Sequence, residues 1–330
     1  MMTRRSTLKA AGAAAVLLAT SAAATAAEWD LSTVWPDANF HTMNAVRFAE
    51  EVASATGGEV TINVRSGGQL GFKGPEHLRA VRDGLIPMAD VLNVQQIGDE
   101  PVLGTEGVPF LVSSADDLKV LHKHIRPVFE EVAARNNQKI LYMVPWPTQY
   151  VHMKTAADTL AGLDGIKVRG ADKNAADMLS LMGMSGILIP WGEVVPALAS
   201  GAIDGVATSA VSGVDGKFWE FLSHVYPTNH SWSSQMVTVN LDAWNSISAE
   251  AQAAIEEVAA KLEPEFWDVS IAADASSLEK LKANGMTVVE IPGPMLVDMQ
   301  AATTPMLEDY LARVPEAEGP VRAYLAELGR

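Results

Sequence analysis

The chain contains no cysteine, and that one absence removes disulfides, thiol nucleophiles, thiolate metal sites and a lipid-modified N-terminal cysteine together. Aromatic residues make up only 6% of it, so each tryptophan stands out as a candidate for a special position. Positive charge is scarce as well: 24 Lys and Arg face 40 Asp and Glu, for a formal net charge of −16, which argues against nucleic acid as a partner. Beyond the first residues no apolar run is long enough to span a membrane, so direct membrane insertion is not expected. There is no G-x-x-x-x-G-K-S/T, no G-x-S-x-G and no cysteine pair, so no cofactor is expected. His122 and His124 lie two apart in a helical tract and point to different faces, and the remaining histidines are isolated, so no metal site is expected either.

What is present begins with an export signal. Arg4, Arg5 and Lys9 precede an apolar run from Ala10 to Ala19 and small residues from Ser21 to Ala27, with A-x-A-like cleavage sites around Ala24 to Ala27. Residues 1–27 are read as a signal peptide and the mature chain as starting near Glu28, which places it in the periplasm. Export runs by the Sec route or, since Thr3-Arg4-Arg5 with Leu8 and Lys9 is similar to a twin-arginine signal with Thr7 in place of its usual Phe, by the Tat route. Losing three positive charges leaves the mature protein near −19. Its roughly 300 residues are the length at which chains split into two lobes.

Period and punctuation give alternating elements. Strands are expected at Trp29 to Trp35, Val60 to Val64, Met88 to Val94 and Lys139 to Val144. Helices are expected at Asn44 to Ala53, Pro75 to Arg82 and Asp116 to Asn136. From Ile166 a second set follows: a strand, a helix near Asn174 to Leu181, a strand at Gly186 to Ile189, a helix from Glu193 to Ala199 and a strand at Val206-Ala207. Met236 to Leu241 reads as a strand. A long helical tract starts at Ala249, with a kink expected at Pro264, and Met286 to Ile291 reads as a last strand. Such alternation implies largely parallel sheets. With no low-complexity linker, crossing strands are expected to join the lobes.

The most informative stretch runs from Gly162 to Ser209. In GIKVRG, Ile166 and Val168 flank Lys167, so a half-buried strand delivers Arg169 at its carboxyl end, where open α/β sheets bind ligands. A guanidinium there is suited to clamp a carboxylate or sulfonate.

GLDGIKVRG, its spacing to PWGEVVPALASGAIDG, VNLDAW with SISAEAQ, and the flanking GGEVTINVRSGGQLG, EGVPFLV and NGMTVVEIP resemble the solute-binding proteins of TRAP (tripartite ATP-independent periplasmic) transporters, the DctP family. The resemblance implies an α/β, two-lobed periplasmic-binding-protein-like fold (type II) with discontinuous lobes, a hinge and a long helix spanning both. Lobe I is expected at 28–146 plus 235–275, lobe II at 147–234 plus 276–330. It implies a cleft that closes on a small organic acid, and TRAP membrane permease subunits as partners. By the same resemblance Arg169 pairs with the ligand carboxylate and Trp191 contacts the ligand. Gln149 stands where a second arginine is frequent, which argues against a doubly clamped carboxylate, and Thr208, followed by Ser209, stands where an asparagine is frequent. Trp35, Trp146 and Trp232 are candidates for an aromatic wall, and loops around Phe72 and Gln95 shape the pocket.

Two other readings remain open. A receptor of the same type could hold a zwitterion or an amine-bearing solute such as an ectoine-like compound, with aromatic rings supplying cation–π contacts. An exported enzyme acting on small acids would use Glu193 or His152 as base, but nothing in the sequence assembles a nucleophile with a base. Glu193, at a helix start where carboxylates are favoured, is read as structural or as a domain-closure group.

Overall fold

The computed structural model describes residues 26–330, so residues 1–25 of the expected leader lie outside the described residues. The strands are β1 (Ala27–Ser32), β2 (Val60–Arg65), β3 (Met88–Leu92), β4 (Gln138–Trp146), β5 (Tyr150–Met153), β6 (Lys167–Gly170), β7 (Ser185–Leu188), β8 (Gly205–Thr208), β9 (His224–Tyr226), β10 (Ser233–Asn240) and β11 (Thr287–Val288). They form two sheets, ordered β2-β1-β3-β10-β4 and β11-β9-β5-β8-β6-β7.

Both sheets are mixed, which corrects the expectation of largely parallel ones. β10 runs antiparallel to β3 and β4, and β5 runs antiparallel to β8 and β9. The physical reason is the crossing. After β4 the chain passes through 147–149 into β5 of the other sheet, and after β9 it returns through 227–232 into β10. The two passages run side by side in opposite directions: Trp146 faces Ser233, the Gln149 amide donates to Ser231 O at 3.0 Å, and Val151 faces Tyr226. Antiparallel strands of this kind need no helix between them.

A third connection is the helix Ala249–Ala283, capped by the Ser248 hydroxyl accepting from the Ala251 amide. Pro264 sits inside this helix without ending it. Its first half buries Ile255, Val258, Leu262 and Phe266 in the core of the first sheet, while Leu281 belongs to a core of the second. Trp267 Nε1 donates to Met143 O at 2.8 Å, tying the helix to β4.

Close approach in the second sheet depends on glycine. A Cβ on Gly186 would meet Ala176 O at 2.2 Å, so the helix Lys173–Leu181 rests directly on β7.

The C-terminal segment differs from the expected division. Met295 and Met299 pack with the second sheet, but Tyr310, Leu311, Val314, Ala317, Val321 and Tyr324 lie in the core of the first. The helices Pro305–Arg313 and Pro315–Glu327 therefore return to lobe I, because their apolar faces are buried there together with Leu118, Leu121 and Ile125. Assigning all of 276–330 to lobe II needs this correction.

Candidate functional site: a guanidinium in the interlobe cleft

β6 lies between β7 and β8, with Val168 wholly buried and Arg169 paired with Ile187 and Val206. This position carries Arg169 to the carboxyl end of the strand and into the cleft, where it is only 2% exposed. Its Nε donates to Ile189 O at 2.9 Å, and that is the one side-chain hydrogen bond it makes among the described residues. No described carboxylate forms an ion pair with it, although Asp172 is close enough to favour its charge. Burial without a full partner pulls its pKa from 12.5 down to about 10, against the opposing pull of Asp172. Four of the five guanidinium N–H donors thus have no acceptor among the described residues.

Asp172 caps the helix Lys173–Leu181 by accepting from the Ala175 amide at 3.1 Å. Burial raises its pKa to about 6, opposed by the Ala175 and Asn174 amides and by Arg169.

The cleft wall brings together Trp35, Gln95, Trp146, Gln149, Arg169, Trp191, Thr208 and Trp232. Trp35 is the hub of the aromatic side, 4.6 Å from Trp146 edge to face and 5.5 Å from Trp191. The indole Nε1 atoms of Trp35, Trp146 and Trp232 and the Gln95 Oε1 are buried without hydrogen-bond partners among the described residues. An unmade hydrogen bond of this kind costs about 1–3 kcal/mol each.

Two expected residues are elsewhere. Ser209 is fully buried and off the wall, where its hydroxyl accepts from the Ser212 amide at 3.2 Å and caps the helix Ala210–Asp215, so its capping role displaces it from the cleft. Phe72 is absent from the cleft wall and lines a separate groove with Gly67, Gly68, Lys73, Trp191 and Glu193.

The wall also holds residues that the sequence reading passed over, notably Asp172, Ser212, His230, Ser231 and Ser233. Asp172 follows Arg169 by three positions, a visible signal. His230 had none, since it sits in an irregular crossing segment.

Contacts across the cleft hold the lobes together. Lys73 pairs with Glu193 at 2.7 Å, Asn39 Nδ2 donates to Asp215 at 2.6 Å, and Asn174 Nδ2 donates to Gly104 O at 3.0 Å. Glu193 is thereby tied to Lys73 across the cleft. His152 is buried off the cleft wall with its Nε2 3.3 Å from Thr208 O, and burial lowers its pKa to about 4. No cluster of three or more His, Cys, Asp or Glu able to hold a metal occurs among the described residues, and no described helix is long and apolar enough to cross a membrane.

The family model for bacterial extracellular solute-binding protein family 7, DctP, matches residues 31–313. The chain belongs to this family. The Bordetella pertussis extracytoplasmic solute receptor DctP7, a receptor binding pyroglutamic acid, has 30% sequence identity and a TM-score of 0.88, over 91% of this chain and 99% of that one. A marine metagenome TRAP solute-binding protein specific for pyroglutamate is also 30% identical, with a TM-score of 0.87 over 91% and 99%. A solute-binding protein of Chromohalobacter salexigens is 25% identical over 96% of this chain and 95% of its own. The two-lobed fold of TRAP receptors is thus common to this family 7 chain and its solved neighbours.

Proposed function

We propose that this family 7 protein is the periplasmic receptor of a TRAP transporter that captures one compact organic acid, of the size and charge of pyroglutamate, and hands it to a membrane permease. The observation that carries the proposal is Arg169: a buried guanidinium at a strand end, with its terminal nitrogens free of acceptors among the described residues, on the wall of a tryptophan-lined cleft. A carboxylate docked there would neutralise it through a bidentate pair. Charge-assisted hydrogen bonds contribute about 1.5–3 kcal/mol each, whereas micromolar to nanomolar capture needs roughly −8 to −12 kcal/mol. The remainder comes from drying the cleft and packing Trp35, Trp146 and Trp191 around the ligand.

We take the ligand to be a compact ring acid because the two receptors at 30% identity bind pyroglutamate. The acidic surface does not oppose this, because charges beyond about 8 Å are screened at physiological salt. The protein acts by binding and not by turnover, with Glu193 engaged by Lys73 and His152 away from the wall. Closing of one lobe on the other is the signal read by the permease, a two-state element biased by the ligand.

The test is mass spectrometry of the acid that co-purifies with the protein, together with a thermal-shift panel of pyroglutamate, ectoine and hexuronates. Stabilisation by pyroglutamate alone supports the reading; stabilisation by ectoine alone would replace it with a zwitterion receptor.

A further inference from the structure

His230 lies on the cleft wall and is 1% exposed. Its backbone is fixed on both sides, the amide donating to Gln149 O at 3.3 Å and the carbonyl accepting from the Phe110 amide at 2.7 Å. Phe110 holds a left-handed φ of 57°, and Asn229, just before the histidine, one of 48°. Backbone strain of this kind in a bulky residue persists where surrounding structure demands it and concentrates at functional sites. The imidazole Nδ1 is 2.7 Å from the Thr228 hydroxyl. Nε2 is therefore the one polar atom of the residue without a protein partner among the described residues.

The Thr228 oxygen also lies 3.4 Å from Gln149 O, to which its hydroxyl donates. Assigning that proton to the carbonyl leaves the same oxygen to accept from Nδ1–H, and Nε2 then carries a lone pair. Desolvation, reinforced by His152, lowers the His230 pKa to about 3, so the ring stays neutral and cannot pair with a carboxylate. Arg169 takes the acid; His230 has a different task.

Resting on the receptor reading above, we infer that His230 is a specificity-determining residue whose Nε2 accepts a hydrogen bond from a neutral N–H or O–H donor beside the ligand's carboxylate. The ligand class narrows to acids bearing such a donor, a lactam N–H or a hydroxyl. A site built to pair with a donor rejects the isostere lacking it, because its own buried group is then left unpaired.

The experiment compares pyroglutamate with 3-oxocyclopentanecarboxylate, which keeps the ring, ketone and acid but replaces N–H by CH2, using isothermal titration calorimetry. Wild type is expected to prefer pyroglutamate by about 10- to 100-fold. His230→Ala should reduce the preference to within about threefold, mainly by weakening pyroglutamate. Thr228→Val, which frees the ring to place its proton on Nε2, should weaken pyroglutamate several-fold and leave the analogue unchanged; it gives an independent reading if His230→Ala does not fold. Equal binding of both acids by wild type, or an undiminished preference in a folded His230→Ala, overturns the inference and leaves the receptor reading standing. Failure of both acids to bind wild type overturns both.

Discussion

Arg169 stabilises a complex at the expense of the empty protein, and replacing it by Met separates the two effects. In the unliganded protein the guanidinium has one hydrogen bond, to Ile189 O, and burial lowers its pKa from 12.5 to about 10. A group whose charged form binds its proton less tightly in the folded state than in the unfolded one opposes folding at neutral pH. At about 1.4 kcal/mol per unit the penalty is on the order of 3 kcal/mol. Met fills similar length without charge, so Arg169→Met is expected to match or exceed the wild-type melting temperature without ligand. With ligand the order reverses. Two charge-assisted bonds of about 1.5–3 kcal/mol each are lost, so the dissociation constant should rise by roughly 10²- to 10⁴-fold. Differential scanning calorimetry with and without pyroglutamate reads both quantities, since ligand at 1,000 times its dissociation constant stabilises by about 4 kcal/mol. A variant that is several degrees less stable when empty yet keeps its ligand-induced shift would refute the reasoning: Arg169 would then be a structural residue.

Two further outcomes follow from the same geometry. Burial raises the Asp172 pKa to about 6 from an ordinary 3.8, so the folded state holds its proton more tightly and this residue's stabilising contribution is present below pH 4 and lost as pH rises through 6. Asn caps a helix as well as Asp, and Asp172→Asn is therefore expected to exceed wild type by about 3 kcal/mol at pH 7 and to come close to it near pH 4, measured by urea unfolding at both. A pH-independent difference would remove Asp172 from that role. Gly186→Ala places a Cβ 2.2 Å from Ala176 O, and such overpacking against backbone should cost about 1–3 kcal/mol; an unchanged urea midpoint would mean that the helix Lys173–Leu181 does not rest on β7 as described.

Much of this was legible in the sequence, and the exceptions have physical causes. The alternation of Ile166, Lys167 and Val168 in GIKVRG located β6 and its terminal Arg169, although Val168, Arg169 and Gly170 are all buried in the fold. β5 and β9 were not seen: Tyr150–Met153 is buried on both faces and His224–Tyr226 is three residues long, so neither alternates. Missing them hid the antiparallel crossing, and helix–strand alternation alone suggested parallel sheets. The return of the last two helices to lobe I was equally hidden, because an apolar stripe ending in Tyr310 or Tyr324 does not say which core it joins. The tryptophans of the cleft were marked by rarity. Ser209 was misplaced because a serine at a strand end reads the same whether it caps a helix or faces a ligand. His230 carries no periodicity, and its place on the wall comes only from the two crossing segments meeting there.

A crystal structure of the protein with pyroglutamate bound would test the central claim most directly. The account predicts the carboxylate between the lobes, with both oxygens about 2.7–2.9 Å from the terminal nitrogens of Arg169. A ligand acid held by other groups, with the guanidinium turned to solvent or paired with Asp172, would contradict it.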